Sequence, residues 1–258
     1  MTPIKPGAGE SHTVAPVKAA HSPFPTWSLD EPLAAGQAAA VFETARRLRA
    51  DSQTGEARKA LHGKNLVLLL AAPPGRQISP LHRAAEDLGA RVAEVRFEAD
   101  ASEQPDIGAL ARLLGRMYDA IDCDTLPPST VQRIEMEASV PVYAGLGRDD
   151  HPAKALADLL TLCEHASTAD SQTTLLFIGD PQPWRSSIFL SAARQLGFSL
   201  QLAETRRPEA KELPYVVDAT HPPEWSLYAQ GRLIEEAFRS ENHRCVIQTV
   251  LLDTIPRA

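Results

Sequence analysis

Two short segments hold side chains whose chemistry goes beyond packing. The first is Ala72-Pro73-Pro74-Gly75-Arg76-Gln77-Ile78-Ser79-Pro80, which follows a continuous apolar run and precedes a helical one. A loop that leaves the carboxyl end of a strand and enters a helix presents free backbone N–H groups, and an arginine beside them favours an anion. Ser79-Pro80 has the form of an N-cap followed by a first-turn proline, while Pro74 removes an N–H donor from the same loop. The second segment is Asp150-His151-Pro152-Ala153-Lys154, at the start of another helical run. A helix N-terminus disfavours an imidazolium, so a neutral His151 there can donate to a carbonyl oxygen and polarise it. Lys154 can only donate. Each group also has a plainer reading: Arg76 as a solvated loop arginine, and His151 as a cap or surface histidine beside Asp150. Arg116 is a third cation of interest, whose plainer reading is a charge offsetting the C-terminal end of a helix dipole.

Composition narrows the classes. The chain has 258 residues and is 43% hydrophobic, enough for a substantial core in one large or two small domains. A formal charge of -7 supplies no overall basic field, so nucleic acid is not an expected partner and any anion site must be a local arrangement. No apolar run reaches membrane-spanning length, and the first residues lack the apolar core of a signal peptide, so a cytoplasmic protein without membrane contact is expected. Cys123, Cys163 and Cys245 are too scattered for a disulfide framework or a CxxC metal site, and Cys163 falls on an apolar helix face as a core residue. No metal or cofactor is expected. Gly179-Asp180-Pro181 lacks the GxGxxG spacing of a dinucleotide-binding turn, which weakens an oxidoreductase reading.

The elements that must position these groups alternate. Residues 1–26 are rich in Pro, Ala, Gly and Ser without a hydrophobic period and read as a mobile tail. From Asp30 a long helix carries Val41, Ala45 and Leu48 and ends before Gly55. Strands follow at Asn65 to Ala71, Arg91 to Phe97, Ala120 to Cys123 and Val140 to Ala144, separated by helices near 79–88, 107–117 and 129–138, with a further helix from Pro152 to about His165. This order implies right-handed crossovers and a parallel sheet covered on both faces. After a polar break at Ser167 to Gln172, a second α/β unit has strands at Thr174 to Gly179, Ser199 to Ala203 and Tyr215 to Ala219. A helix near Leu227 to Arg239 closes that unit, and a last helix from Glu241 to Ile255 shows Ile247, Val250, Leu251 and Thr254 on one face. The expected architecture is therefore α/β, with two domains (27–168 and a smaller 169–240) built on parallel sheets flanked by helices, and with residues 241–258 returning to the first.

The runs Gly115-Arg116-Met117-Tyr118-Asp119, Val140-Pro141-Val142, Gly145-Leu146, His151-Pro152 and Leu156-Ala157-Asp158 resemble, in order and spacing, the carbamoyl-phosphate half of ornithine carbamoyltransferases. The resemblance is strongest through residue 165, moderate around Leu175 to Leu202 and visible again from Arg239 to Thr254. It implies a carbamoyl-phosphate-binding domain, a smaller amino-acid-binding domain and a homotrimer. It implies anion-binding roles for Arg76, Gln77, Arg116, His151 and Lys154, with Arg116 and His151 catalytic if the chain is active. The departures are as informative. The family's Ser-Thr-Arg-Thr-Arg loop falls on Pro74-Gly75-Arg76-Gln77-Ile78, keeping only the first arginine; Lys154 stands where the family has Gln, whose carbonyl could accept from a carbamoyl NH2. The stretch Ala99 to Asp106 lacks the lysine that the family sends into a neighbouring subunit's site. On the acceptor side Pro183 and Trp184 follow Gly179-Asp180 where the family has an Asn pair, and the acceptor-gripping segment has no counterpart between Thr205 and Glu241. Thr220-His221-Pro222-Pro223 is a remnant of the His-Cys-Leu-Pro motif, and Glu241-Asn242-His243-Arg244 puts His243 where the family's ligand-binding arginine should be, with Arg244 one place late.

Asp180, Trp184, His221 and Arg244 are thus the acceptor-side candidates. The resemblance and its departures imply a carbamoyltransferase-like protein with reduced or lost transfer activity that binds a small anion, phosphate or carbamoyl phosphate, at a residual site, or binds a partner subunit. The alternative is an active carbamoyltransferase with an unusual acceptor, its pocket built around Trp184, Trp225 and His221.

Overall fold

The computed structural model describes residues 33–34, 36–55, 58–71, 78–97, 106–165, 173–205 and 213–256. The tail, Asp30, the loop residues Arg76 and Gln77, and most of the acidic stretch before Asp106 lie outside the described residues.

After α1 (Gln37–Thr54), the first sheet is assembled from β1 (Asn65–Leu70), α2 (Pro80–Asp87), β2 (Arg91–Arg96), α3 (Ile107–Met117), β3 (Ala120–Asp122), α4 (Pro128–Glu137) and β4 (Val142–Tyr143). Its four strands are all parallel, in the order β2-β1-β3-β4. The apolar run of β1 is continuous because both faces are covered: Leu66 and Leu68 enter one core cluster, Val67 and Leu69 another with Ala111, Leu114 and Ile134. Ser79 caps α2 as its sequence suggested, accepting from the His82 N–H at 3.1 Å, with Pro80 in the first turn.

α5 (Pro152–His165) joins the two halves, and every residue from Pro152 to Leu162 on it is buried. Such a helix has no solvent stripe because it is packed on several sides, here by helices and by a strand of the second sheet. That sheet comprises β5 (Thr174–Ile178), α6 (Trp184–Gln195), β6 (Ser199–Ala203), β7 (Tyr215–His221), β8 (Glu224–Ala229) and β9 (Arg232–Leu233), in the order β6-β5-β7-β8-β9. The pairs of β5 with β6 and β7 are parallel, whereas β8 and β9 are antiparallel additions.

The helix expected from Leu227 to Arg239 is not formed. Trp225, Leu227 and Ala229 are buried while Ser226 and Tyr228 are only partly so, a period of two that belongs to a strand. Gln230 and Gly231 both have positive φ, 50° and 74°, and connect β8 to β9 as a two-residue hairpin of the kind that matches strand twist. A single helix, α7 (Glu236–Thr254), then replaces the two helices expected. It packs on α1, α2 and α5, so the chain does return to the first sheet, but the returning helix begins five residues upstream of Glu241. Cys163 is partly buried against the main core, and Cys123 and Cys245 are buried and unpaired. Among the described residues no helix is long and apolar enough to cross a membrane.

Candidate functional site

The carboxyl ends of both sheets open onto one cleft of about 1520 Å³. In each sheet the chain leaves the first strand in one direction and the later strands in the other, and loops that diverge in this way leave a crevice. One wall comes from Pro80 after β1, Asp124 and Thr125 after β3, and residues 147–150 after β4. The other comes from residues following β5, Glu204 after β6, and Thr220, Pro222 and Pro223 at the end of β7. Gly179, with φ 131°, lets β5 end close against β7: a Cβ there would stand 3.0 Å from the backbone carbonyl of Ala219.

Among the described residues the lining of the cleft is acidic. Asp124, Asp149, Asp150, Asp180 and Glu204 line it, against Arg148 and Arg185. Neither arginine is free to meet an anion. Arg148 donates from Nε and Nη2 to the two oxygens of Asp150, at 2.8 and 2.6 Å, and from Nη1 to the Asp124 carbonyl. This pairing holds the Asp150 carboxyl below its usual range and the Arg148 guanidinium above its own. Burial pushes the Asp124 carboxyl up, with Arg148 opposing. Beneath this loop Asp122 is fully enclosed; its Oδ1 accepts from the Gly145 and Leu146 N–H groups at 3.0 Å, yet burial outweighs them and raises its pKa to about 7. Among the described residues no group of three or more His, Cys, Asp or Glu could hold a metal.

Arg185 belongs to a buried ionic cluster behind the cleft. The Asp158 carboxylate on α5 accepts from Arg185 Nη2 at 2.6 Å and from Arg239 Nε at 3.0 Å. Arg185 also donates to the Pro223 carbonyl and lies 3.9 Å over the Trp225 ring, while Arg239 donates to the Trp225 carbonyl and to Glu236. One carboxylate of the connecting helix thus holds α6, α7 and the β7-β8 turn together.

The described sequence-derived candidates separate by position. Trp184 and Asp180 line the cleft, and Asp180 accepts from the Gln182 N–H. His151 is 3% exposed and stands behind Trp184, the two rings meeting edge to face at 5.3 Å. Its Nδ1 accepts from the Ala153 N–H at 3.0 Å, so the neutral ring carries its proton on Nε2, and burial pushes its pKa down to about 3. His221 is exposed at the rim, its Nδ1 2.9 Å from Thr220 Oγ1.

The remaining candidates require correction. Arg116 is exposed in the last turn of α3, in a shallow pocket with Lys64, Asn65, Asp119 and Pro141. Those residues precede or begin strands, so Arg116 lies at the amino ends of the sheet, opposite the cleft. A crossover helix runs back against its strands, which puts its C-terminal end there by construction. Arg116 therefore offsets a helix dipole and does not meet a ligand in the cleft. Lys154 is buried and donates to Glu236 Oε1 at 3.1 Å across α5 and α7, not into the cleft. Arg244 reaches Asp87 Oδ2 at 2.5 Å at the end of α2 and takes no part in an acceptor pocket. His243, its neighbour, is 2% exposed and faces the cationic cluster, and burial followed by Lys154 and His151 pushes its pKa well down.

Asp124, Arg148 and Glu204 were missed, although each follows a correctly read strand and that position alone was the available signal. Asp158, Arg185 and Arg239 left no local signal, since their contact spans 27 and 81 residues of sequence.

Residues 30–164, more than half of the chain, match the family model described as aspartate/ornithine carbamoyltransferase, carbamoyl-P binding domain. Ornithine carbamoyltransferase from Burkholderia thailandensis E264 is similar at 24% identity over 66% of this chain, which spans 58% of that one, with a TM-score of 0.54. Ornithine carbamoyltransferase from Pyrococcus furiosus superposes over 88% of this chain and 95% of its own, at 17% identity and a TM-score of 0.62. Aspartate transcarbamoylase from Trypanosoma cruzi, in complex with aspartate and phosphate, does so over 90% and 94%, at 14% identity and 0.63. At these identities the structural likeness speaks for the fold, and the family match supplies the rest: the chain belongs to the aspartate/ornithine carbamoyltransferase family.

Proposed function

We propose that this family member has lost most or all carbamoyl transfer and keeps a weak site for a small anion such as phosphate or carbamoyl phosphate. The observation that carries the reading is the charge of the cleft: five carboxylates line it, and both described arginines there are committed to carboxylates of the protein. Transfer of a carbamoyl group develops negative charge on the phosphate leaving group, and an electrophile must be held by several donors aimed at it. Losing one such donor typically costs on the order of a hundredfold in rate. Here Lys154 and Arg116 point elsewhere, so the loop holding Arg76 and Gln77, next to the Ser79-capped N-terminus of α2, is the anion site this reading retains. Assembly as a homotrimer belongs to the same reading and rests on the family resemblance, while residence in the cytoplasm is carried over from the sequence reading.

The purified chain should form negligible citrulline from carbamoyl phosphate and ornithine. Phosphate should raise its melting temperature slightly; Arg76→Ala should abolish that shift and Arg116→Ala should leave it intact. Citrulline formation at about 10 per second, ordinary for a metabolic enzyme, would overturn the reading.

A second reading has one observation in its favour. Carboxylates beside the rings of Trp184 and Trp225 suit a cationic amine, and a carboxylate can take the proton an attacking amine must lose. On that reading the chain is an active carbamoyltransferase with an unusual acceptor, and only a survey of amines would reveal it.

A further inference from the structure

We propose that Trp184 is a movable cover over His151, closing a buried polar junction of α5, α6 and α7 from the cleft. Trp184 is half-buried and forms part of the cleft wall, while His151, against whose ring it packs, is 3% exposed and takes no part in that wall. The indole is therefore what separates the imidazole from the open space.

The closed arrangement leaves polar groups unsatisfied. Among the described residues Trp184 Nε1, Arg185 Nε and His243 Nε2 are buried and have no hydrogen-bond partner. They belong to one neighbourhood: Trp184 touches His151, Arg185 is next to Trp184 in the chain, and His243 feels the charges or dipoles of Lys154, His151 and Arg185. A buried donor without an acceptor pays for desolvation with nothing in return, so the closed position of the indole is opposed by its own N–H. An outward rotamer would give that N–H to cleft water and admit water to the other two atoms. Trp184 is the first residue of α6, preceded by Pro181-Gln182-Pro183, so its side chain can turn toward the cleft without disturbing the helix behind it. The inference concerns access and stands whether or not the chain turns over carbamoyl phosphate.

The test is modification by diethyl pyrocarbonate, which attacks unprotonated imidazoles and so reports access for a ring that stays neutral. Peptide mass spectrometry would follow His151 beside the exposed His62 and His221. In the wild-type chain His151 should react far more slowly than those two. In Trp184→Ala its rate should rise to theirs, and in Trp184→Phe it should stay low. Cys123, buried in the separate core beyond the first sheet, must stay unreactive to a thiol reagent as a check on folding. If Trp184→Ala exposes Cys123, Trp184→Leu decides by the same comparison. A wild-type His151 as reactive as His221, or a His151 that stays protected in a folded truncation variant, would overturn the proposal. Citrulline formation would leave this result untouched, so the two claims fail separately.

Discussion

Asp158→Ala is expected to destabilise the fold by roughly 3–5 kcal/mol, the range for breaking a buried ion pair from one side. Asp158 is fully buried and its two oxygens are shared between Arg185 and Arg239, themselves 5% and 6% exposed. Removing the carboxylate leaves two guanidiniums enclosed with only carbonyl, aromatic and Glu236 contacts to hold them. Both arginines come from elements after α5, so the loss should loosen the second sheet and α7 from the connecting helix. Thermal and urea denaturation would measure it, and a chain of this size should lose on the order of 10 °C in melting temperature. Asp158→Asn, which keeps an acceptor oxygen, should lose less. A change below about 1 kcal/mol in the alanine variant would mean that the cluster does not hold the halves together.

The dependence of stability on pH should contain two opposed contributions. Burial holds Asp122 at about 7 against an ordinary 3.8, so between those values the folded state keeps a proton that the unfolded chain releases. Stability from this group therefore falls as pH rises through that window. His151 is held at about 3 against 6.5, so its contribution is complete above 6.5 and is lost as pH falls, because only the unfolded chain takes up the proton. His243 is displaced in the same direction as His151. The wild-type chain should accordingly weaken in acid, and Asp122→Asn isolates the opposing contribution. The variant should match the wild type near pH ~4 and exceed it by roughly 3–4 kcal/mol near pH ~8, because it removes a charge that would otherwise be buried. Urea titrations of both chains across this range would show it. A difference independent of pH would contradict the assignment to Asp122.

Much of the first sheet was legible in the residues. β1 has a continuous apolar run since both faces are covered, α2 is marked by Ser79-Pro80, and the limits of α5, Pro152 and His165, were read as they stand. The second half was harder. Leu227 to Arg239 contains apolar spacing compatible with a helix, but the sheet needed a partner for β7, and pairing Tyr215 with Ala229 and Val217 with Leu227 decided for strands. The site was legible only where a residue's place along an element was used. Trp184, after a strand, lines the cleft and His151, before a helix, lies buried behind it, whereas Arg116, at the end of a crossover helix, had to lie at the opposite edge. The resemblance alone could not show this. Charge in the cleft was invisible for a different reason, because Asp124, Asp150 and Glu204 come from three loops that only the folded chain brings together.

On the proposed reading, the fold of a carbamoyltransferase encloses here a cleft unsuited to carbamoyl transfer. Radiolabelled carbamoyl phosphate incubated with the wild-type chain and a panel of amino acids and diamines tests it most directly, through acid-stable label in the amine. The account predicts at most a trace of label above a protein-free control for any acceptor. Acceptor-dependent label formed at about 1 per second or faster, within the ordinary range of enzymes, would contradict it.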